Sequence, residues 1–483
     1  MSEYVTTIGL EVHAELATAT KMFCGCPVGF GGEPNSRVCP VCLGHPGTLP
    51  VPNQTAVEHA IRIALALSCE IASESIFHRK NYFYPDMPKN YQISQYDLPI
   101  GTGGHLELDL DGPRRRIGVT RVHLEEDTGK SLHAGVGGRI HEAAYSLEDF
   151  NRAGVPLVEI VTEPDITSAE EARAFASELR AILEYLEVSD VRMEEGSLRV
   201  DANISVALPG ERGTKVEIKN MNSLKSLHRA LAYEEGRQRL RLSEGAALEQ
   251  ATRHWDERAG VTKPLRSKEY AFDYRYFAEP DLVPIRPSPE WLARISERIP
   301  ELPAGRRRRF VEELGLRPSH AAVLTSSKAI AGFFEAAAGA ARAAGAGQVA
   351  NWVANELLGR LAERGEGVGQ ALVTPEGFAA LVDLVAGGKI SGGQGKEVLS
   401  EMLASGRQAK AVIEERGMRL VSDRAELEGA VDEVIAANAE VAARIRAGEE
   451  KPLAFLIGQV MRATRGQANP ALVNEVLRER LGE

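Results

Sequence analysis

The chain is organised around the stretch Arg121-Val-His-Leu-Glu-Glu-Asp-Thr-Gly-Lys-Ser131. If residues 122–126 form a strand, side chains alternate between its faces, so His123 and Glu125 share one face. Two adjacent carboxylates and a histidine, close to Lys130, are an arrangement that suits a divalent metal and phosphate. The same residues also fit a solvated edge strand followed by a charged turn. The other segments of the chain must therefore decide between these two interpretations.

The composition limits the classes of protein that need to be considered. The 483 residues are 43% hydrophobic, which is enough for several packed domains, roughly two to four. A net charge of −11 argues against a surface coated in basic residues, so any contact with nucleic acid must come from local patches. No apolar run is long enough to cross a bilayer, and the N-terminus lacks a signal-peptide pattern. We therefore expect a cytoplasmic protein that does not contact a membrane.

Four further segments, residues 7–15, 157–161, 198–206 and 214–219, place polar side chains on one face and aliphatic ones on the other. Glu159 is the only charge in its strand, and an acid among aliphatic residues is costly unless it is paired or bound to metal. An exposed edge position is the alternative for Glu159. If these strands form one antiparallel sheet, their polar faces line a common bowl. The residues expected inside it are Glu11, His13, Glu125, Glu159, Asp201 and Glu217.

So many carboxylates repel one another unless cations lie between them, and Mg²⁺ is the simplest such cation. Residues 78–96 interleave cations and aromatic rings that suit phosphates and a base or sugar, although aromatic residues also pack in cores. Gly129-Lys-Ser131 resembles the end of a P-loop, but Leu124 stands where the earlier glycine is required. The sequence thus predicts a magnesium–ATP site without a P-loop. Its predicted nucleotide ligands are Lys80, Tyr82, Lys130 and Lys215.

Two cysteine pairs, Cys24-Gly-Cys26 and Cys39-Pro-Val-Cys42, close a loop rich in glycine and proline. Four thiolates suit a tetrahedral zinc ion, and they leave no open position for a substrate, so the zinc would be structural. A disulfide pair or inert thiols are the alternatives. Cys69 lies within residues 61–71, an apolar run that is expected to be helical, and it is assigned to the core. The glycine-rich residues 101–104 are expected to form a loop.

Eight motifs, in order along essentially the whole chain, resemble GatB, the B subunit of the bacterial Glu-tRNA(Gln)/Asp-tRNA(Asn) amidotransferases. The motifs lie at residues 11–13, 78–86, 124–131, 157–165, 193–205, 215–223, 273–284 and 458–470. The resemblance implies a cradle-shaped N-terminal domain, a helical domain and a small helical tail domain. It also implies the kinase half of a two-step reaction on mischarged tRNA.

In the reaction that the resemblance implies, the side-chain carboxylate of Glu-tRNA(Gln) or Asp-tRNA(Asn) attacks the γ-phosphate of ATP. Ammonia, released from glutamine by the amidase (the A subunit), then displaces phosphate to give the amide, while the C subunit straps the other two together. By motif, Lys80 and Tyr82 match positions near the tRNA acceptor end, and Arg462 and Arg465 stand where lysines that contact tRNA are common. The implied Mg²⁺ ligands are Glu11, His13, Glu125, Glu159 and Glu217, with Asp201 lining the same pocket.

The expected fold class is α+β, with a largely antiparallel sheet followed by two all-α domains. Closely spaced prolines between residues 280 and 303 predict a boundary near residue 292, and a second boundary is predicted near residue 407. The expected domains are a catalytic cradle at 1–292 with the zinc loop at 24–42, a helical domain at 293–407, and a tRNA-binding tail at 408–483. Arg306 lies in a run of arginines that predicts either an RNA contact or a solvated helix start.

Three other functions compete with the amidotransferase interpretation. The main alternative is a non-catalytic, zinc-containing scaffold that only binds tRNA. The related archaeal-type E subunit carries a large synthetase-like insertion for which this chain has no room. A stand-alone small-molecule kinase is disfavoured because no complete nucleotide motif is present. Whether Gln-tRNA, Asn-tRNA or both are made depends on the synthetases of the cell and stays open.

Overall fold

A computed structural model describes residues 4–110, 114–134, 143–265, 274–418, 424–447, 449, 452–464, 468 and 470–482. The chain divides into two compact units, Met1–Leu302 and Pro303–Glu483. The first unit combines three sheets with helices, and the second is helical in its described part. This confirms the predicted α+β class. The predicted domain boundaries near residues 292 and 407 stay predictions.

The first unit is built on a nine-stranded sheet in the order β13-β12-β11-β10-β1-β9-β6-β5-β2, and smaller sheets hold β14-β3-β4 and β7-β8. Within the nine-stranded sheet all neighbours are antiparallel except β11 and β12. The strands are β1 (Val5–Glu15), β2 (Glu70–Ile71), β3 (His78–Asn81), β4 (Tyr91–Ser94), β5 (Gly101–Leu108), β6 (Arg115–Glu126), β7 (Lys130–Ala134), β8 (Tyr145–Asp149), β9 (Pro156–Thr162), β10 (Leu198–Ala207), β11 (Val216–Lys219), β12 (Ala251–Asp256), β13 (Val261–Pro264) and β14 (Phe277–Ala278).

Because apolar and polar side chains alternate along strands such as β1 and β10, one face of this sheet is largely apolar, and helices cover it. The helices of the first unit are α1 (Gln54–Ala66), α2 (Ala169–Tyr185), α3 (Leu224–Ser243) and α4 (Pro289–Ser296). Alternate residues of β1 and β10 are buried, and they share one core with apolar residues of α1, α2 and α3. Burying this much aliphatic surface is the main stabilising contribution to the unit. The opposite, polar face is left to carry chemistry.

A β-bulge in β6 sets which of its residues face the polar side. The register with β9 shifts between Val119 and Arg121, so the alternation changes phase at the extra residue, Thr120. Ile117 and Val119 are buried before the bulge, whereas Val122 and Leu124 are buried after it. As a result, His123 and Glu125 share the polar face, as the alternation of residues 122–126 predicted.

The start of α1 depends on Asn53. Its side chain accepts a hydrogen bond from the Ala56 amide at 3.2 Å and donates one to the Thr20 carbonyl at 3.0 Å. We expect Asn53→Ala to lower the free energy of unfolding by about 1–2 kcal/mol, because both the helix cap and this tie are lost. Urea unfolding measures the change, with Gln54→Ala as the control on the exposed next residue. Equal losses in the two variants would contradict this role for Asn53.

Two local expectations were wrong. The expected helical run over residues 61–71 is interrupted: α1 stops at Ala66, Ser68 has a positive φ of 56°, and β2 begins at Glu70. The glycine-rich residues 101–104 form the start of β5 rather than a loop. A Cβ atom on Gly104 would lie 2.3 Å from the Cys69 sulfur, so glycine is needed here for close packing of strand and thiol. Cys69 is buried, as predicted.

The described part of the second unit contains only helices as regular structure. They are α5 (Pro303–Glu312), α6 (Pro318–Leu324), α7 (Lys328–Ala340), α8 (Ala346–Trp352), a π-helical turn at Val353–Leu357, α9 (Leu358–Arg364), a 3₁₀ turn at Val368–Gln370, α10 (Pro375–Ala386), α11 (Gly392–Ser405), α12 (Ala409–Glu415), α13 (Arg424–Ala437), α14 (Ala439–Arg446), α15 (Leu453–Ala463) and α16 (Pro470–Leu481). Apolar residues from α13 to α16 form a separate core. No helix in the described residues is long and apolar enough to cross a bilayer.

Candidate cation- and phosphate-binding site

The register of four strands brings distant polar residues into one row across the polar face of the sheet. His13 of β1 pairs with Arg199 of β10 on one side and with Glu159 of β9 on the other. Glu159 in turn pairs with His123 of β6. A slip of one residue in any of these strands would move its polar residues to the core face. The sheet register therefore assembles the site.

Three of the predicted metal ligands converge. A nitrogen of His13 and one carboxylate oxygen each from Glu125 and Glu159 lie within 4.8 Å of one another. The His13 Nε2 atom is 3.3 Å from Glu159 Oε2. Carboxylate oxygens with one imidazole fit a divalent cation such as Mg²⁺ or Mn²⁺, since both favour oxygen ligands and Mn²⁺ accepts imidazole more readily. The donor set therefore fits the predicted cation, and His13, Glu125 and Glu159 would hold it.

His123 joins the two carboxylates. Its Nε2 atom is 3.3 Å from both Glu125 Oε1 and Glu159 Oε2. Burial disfavours the imidazolium, but the two carboxylates outweigh it and raise the pKa of His123 to about 9. The Nδ1 atom of His123 is buried and has no hydrogen-bond partner among the described residues. The protonated His123 ring therefore places a positive charge between Glu125 and Glu159 at neutral pH.

Glu125 is held in one position by four neighbours. Ser94 donates a hydrogen bond to its Oε1 at 2.6 Å, and Gln92 donates one to its Oε2 at 3.1 Å. Lys80 Nζ lies 3.8 Å from Oε1. Burial alone would raise the pKa of Glu125, but Lys80 and His123 lower it to about 2. This carboxylate is therefore ionised at neutral pH although it is only 2% exposed.

The remaining acids form the other half of the same cavity. Glu11 pairs with Asp201 across β1 and β10, and the Asn203 amide donates a hydrogen bond to Glu11 at 2.9 Å. Lys219 Nζ lies 2.7 Å from Asp201 and 2.9 Å from Glu217. Burial opposes the ammonium charge, but these acids raise the pKa of Lys219. Glu11 and Glu217 lie outside the converging three-ligand group.

The His13–Glu125–Glu159 group and the Glu11–Asp201–Glu217 group line one cavity of about 400 Å³. This size is typical of small-molecule sites. The lysines and arginine that reach the cavity are Lys80, Arg121 and Lys219, and the Arg121 guanidinium lies 3.5 Å from Glu159. Three tyrosines provide the aromatic part of its wall. The described residues that line it are Glu11, His13, Lys80, Gln95, Tyr96, Arg121, His123, Glu125, Glu159, Asp201, Glu217, Lys219, Tyr274 and Tyr276.

Three of the four predicted nucleotide ligands do not line this cavity, and only Lys80 does. Tyr82 is half-buried just after β3, where burial raises its pKa. Lys130 is exposed on β7, opposite Asp149 of β8. Strand β6 ends at Glu126, and β7 belongs to the separate two-stranded sheet. Lys215 is exposed just before β11, and Lys219 reaches the acids instead.

The arginines predicted to contact tRNA lie in the second unit. Arg306 is partly buried in α5 and forms an ion pair with Glu335, which also pairs with Arg309 at 2.5 Å. Its charge is therefore partly neutralised within the fold. Arg462 is exposed in the last turn of α15. Arg465 lies outside the described residues.

The four predicted zinc ligands also converge. Sulfur atoms of Cys24, Cys26, Cys39 and Cys42 lie within 4.8 Å of one another, and those of Cys39 and Cys42 are 3.9 Å apart. A tetrahedron with zinc–sulfur bonds of about 2.3 Å has sulfur–sulfur edges near this length. A hydrogen bond with Cys24 and the nearby Lys21 ammonium lower the pKa of Cys42 to about 4. The cluster therefore fits a structural zinc ion, and no disulfide joins these cysteines.

The predicted site residues did not include His123, Arg121 or Lys219. Strand alternation could have identified each of them, because it places them on the same face as a predicted site residue. His123 lies two residues before Glu125, and Lys219 lies two residues after Glu217, so both share the predicted polar face. No strand alternation pointed to the three tyrosines that also line the cavity, Tyr96, Tyr274 and Tyr276. Tyr274 and Tyr276 belong to a short segment far along the chain, and only tertiary folding brings β14 beside β3.

The fold and the cavity define a class of protein: an α+β protein whose antiparallel sheet carries an acidic, histidine-containing site suited to a divalent cation and phosphate groups. Residues 6–293 match the family model described as the GatB/GatE catalytic domain, and residues 332–481 match the model described as the GatB domain. The chain belongs to the GatB family, as the sequence motifs predicted.

Relatives match this chain from end to end. The B subunit of aspartyl/glutamyl-tRNA(Asn/Gln) amidotransferase from Moorella thermoacetica is 54% identical over 482 residues, covering 99% of this chain and 100% of the relative. The protein of the same name from Carboxydothermus hydrogenoformans is 52% identical, with 100% of both chains covered. The one from Persephonella marina is 47% identical, covering 99% of this chain and 100% of the relative.

Proposed function

We propose that this chain is the component of a tRNA-dependent amidotransferase that phosphorylates the side-chain carboxylate of Glu-tRNA(Gln), Asp-tRNA(Asn) or both. The observation that carries the proposal is the convergence of His13, Glu125 and Glu159 on one cation position beside Lys80 and Arg121. End-to-end similarity to proteins named as the B subunit of such amidotransferases supports the choice of substrate.

The proposed reaction has two steps. An oxygen of the substrate carboxylate attacks the γ-phosphorus of ATP, so a carbon-bound oxygen gains the phosphoryl group and ADP leaves. Ammonia then attacks the carbonyl carbon of this acyl phosphate. The carbon–oxygen bond breaks, inorganic phosphate leaves, and the nitrogen loses a proton to give the amide. ATP is a substrate here and is consumed once per amide formed.

The side chains of the cavity serve the first step through charge and position. Lys80 and Arg121 form ion pairs with the buried Glu125 and Glu159, so their cationic groups lie beside the proposed cation position. There they would stabilise the charge on the phosphate oxygens. Lys219 supplies a third cation at the Asp201 end of the cavity. Hydrogen bonds from Ser94 and Gln92 fix the Glu125 carboxylate, so little reorganisation is needed when substrate binds.

His13, Glu125 and Glu159 would hold Mg²⁺, and Glu11 and Glu217 line the same cavity. When bound there, Mg²⁺ would supply positive charge that offsets the negative charge developing during phosphoryl transfer. The ammonia is proposed to come from an amidase, the A subunit, which the C subunit would hold to this chain. Zinc at the four cysteines would be structural, and the complex would act in the cytoplasm, where charged tRNA is used.

The proposal is tested by reconstituting this chain with the two partner subunits. Glu-tRNA(Gln) and Asp-tRNA(Asn) are supplied in parallel with Mg²⁺, ATP and glutamine, and we expect at least one of them to be amidated. ADP formation should depend on the charged tRNA, because its carboxylate is the phosphate acceptor. Thin-layer analysis of the released amino acid measures the amide, and uncharged tRNA is the control. Amide formation without ATP consumption would contradict the proposal.

A non-catalytic tRNA-binding scaffold is the competing function. It requires amidation to survive the loss of a single carboxylate in the cavity, because the scaffold would contribute no chemistry. Buried, ionised acids beside cations are costly for a scaffold to maintain, so the geometry favours the catalytic interpretation.

A further inference from the structure

The wall of the catalytic cavity is polar except on one side. The acids, histidines and cations already described occupy most of it, whereas Tyr96, Tyr274 and Tyr276 are the aromatic side chains among the described lining residues. Nothing in the phosphoryl-transfer step needs three tyrosines. Their arrangement therefore calls for a separate explanation.

The three rings form an ordered stack at the cavity. The rings of Tyr96 and Tyr276 are nearly parallel, with centroids 4.4 Å apart and planes at 13°, and Tyr274 meets Tyr276 edge to face at 6.0 Å. Tyr96 also meets His78 edge to face at 6.3 Å, but it is 59% exposed, so a large part of this tyrosine is open to solvent. A pre-formed stack that ends in an exposed ring offers a surface for one more flat ring.

The stack lies next to the phosphate-binding groups. Lys80 Nζ is 3.8 Å from Glu125 Oε1 and 5.1 Å from the centre of the Tyr274 ring. One lysine thus separates the carboxylates from the tyrosines. A ligand that puts phosphate or ester oxygens near Lys80 would carry its sugar-linked base toward the aromatic side of the cavity.

We propose that the tyrosine stack formed by Tyr96, Tyr276 and Tyr274 is the binding surface for the adenine ring of an adenosine. The proposal rests on the proposed function, which brings two adenosines to this cavity: that of ATP and the 3′-terminal adenosine of the charged tRNA. Each adenosine is covalently linked to one of the two groups that react. A neutral base stacks on tyrosine rings more favourably than it contacts the charged remainder of the wall.

The test is direct binding to the reconstituted complex carrying Tyr96→Leu, with Tyr96→Phe as the conservative variant. Removing one stacking ring should weaken binding of the adenosine ligand about tenfold. If the stack binds the adenine of ATP, Tyr96→Leu should weaken binding of ATP but not of inorganic tripolyphosphate. If it binds the terminal adenosine of the tRNA, Tyr96→Leu should weaken binding of full-length tRNA but not of the same tRNA lacking that adenosine.

Selective weakening of either adenosine-bearing probe supports the stack and identifies the source. Tyr96→Phe should then bind like the unmodified chain, because the ring remains. The inference is overturned if Tyr96→Leu leaves all four probes unchanged, or if it weakens the probes without adenine equally. Tyr233→Leu, on α3 and away from the cavity, controls for loss of a half-exposed tyrosine. Amidation by the unmodified complex tests the proposed function separately, so the two can fail independently.

Discussion

Replacing Glu125 by glutamine is expected to lower kcat/KM for tRNA amidation by roughly 10³-fold, with the folded structure retained. Glutamine keeps the size of the side chain and still accepts the hydrogen bond from Ser94. It removes the negative charge that pairs with Lys80 and that completes the cation site with Glu159. Because phosphoryl transfer depends on charge placement, losing one ligand affects chemistry far more than packing.

The measurement is steady-state amidation by the reconstituted complex, together with tRNA binding and circular dichroism of the variant. Glu107→Gln is the matched control, since Glu107 is an exposed acid on β5 that pairs with Arg114. The control should retain nearly full activity. If Glu125→Gln retained most of the activity, the cavity would not carry the chemistry, and the scaffold function would gain support.

Mn²⁺ in place of Mg²⁺ should sustain activity of the unmodified complex, because His13 is a nitrogen ligand.

The second large effect is expected at the four-cysteine cluster. Cys42→Ser should abolish zinc binding and lower the free energy of unfolding by more than about 3 kcal/mol. The cluster closes a loop that contains little regular structure, and of the described residues 24–53 only Cys42 is buried, so the metal would supply the cross-links that hold this part of the loop together. Zinc content by atomic emission and chemical unfolding under reducing conditions measure the two effects.

Cys69→Ala is the control for the cysteine substitution. Cys69 is buried away from the cluster, so its loss should leave the zinc content unchanged and cost only about 1 kcal/mol. An unmodified chain that purifies without zinc would show that the cluster is not a zinc site. Equal destabilisation by Cys42→Ser and Cys69→Ala would show that the Cys42 thiol contributes packing alone. Amidation per folded molecule should change little, because the cysteines do not line the catalytic cavity.

Much of the fold could be predicted because one physical pattern repeats. Alternation in β1, in β10 and in residues 122–126 of β6 was readable from the chain, since aliphatic side chains must face the core and polar ones must not. Ser168 and Ser223 cap α2 and α3 by accepting hydrogen bonds from the Glu171 and Ser226 amides, a position that serine favours. The errors at Cys69 and residues 101–104 arose where close packing overrode local preference.

The sequence by itself determined which residues belong to the polar face, the class of the fold and the family. It also grouped the four cysteines as one candidate metal site, because spacing in one short loop leaves few alternatives. Only the tertiary structure decided which polar residues meet. Strand register placed Arg199, His13, Glu159 and His123 in one row, whereas Lys130 lies in a separate sheet and outside the cavity. Register depends on contacts between segments that are distant in the chain, and no local pattern encodes those contacts.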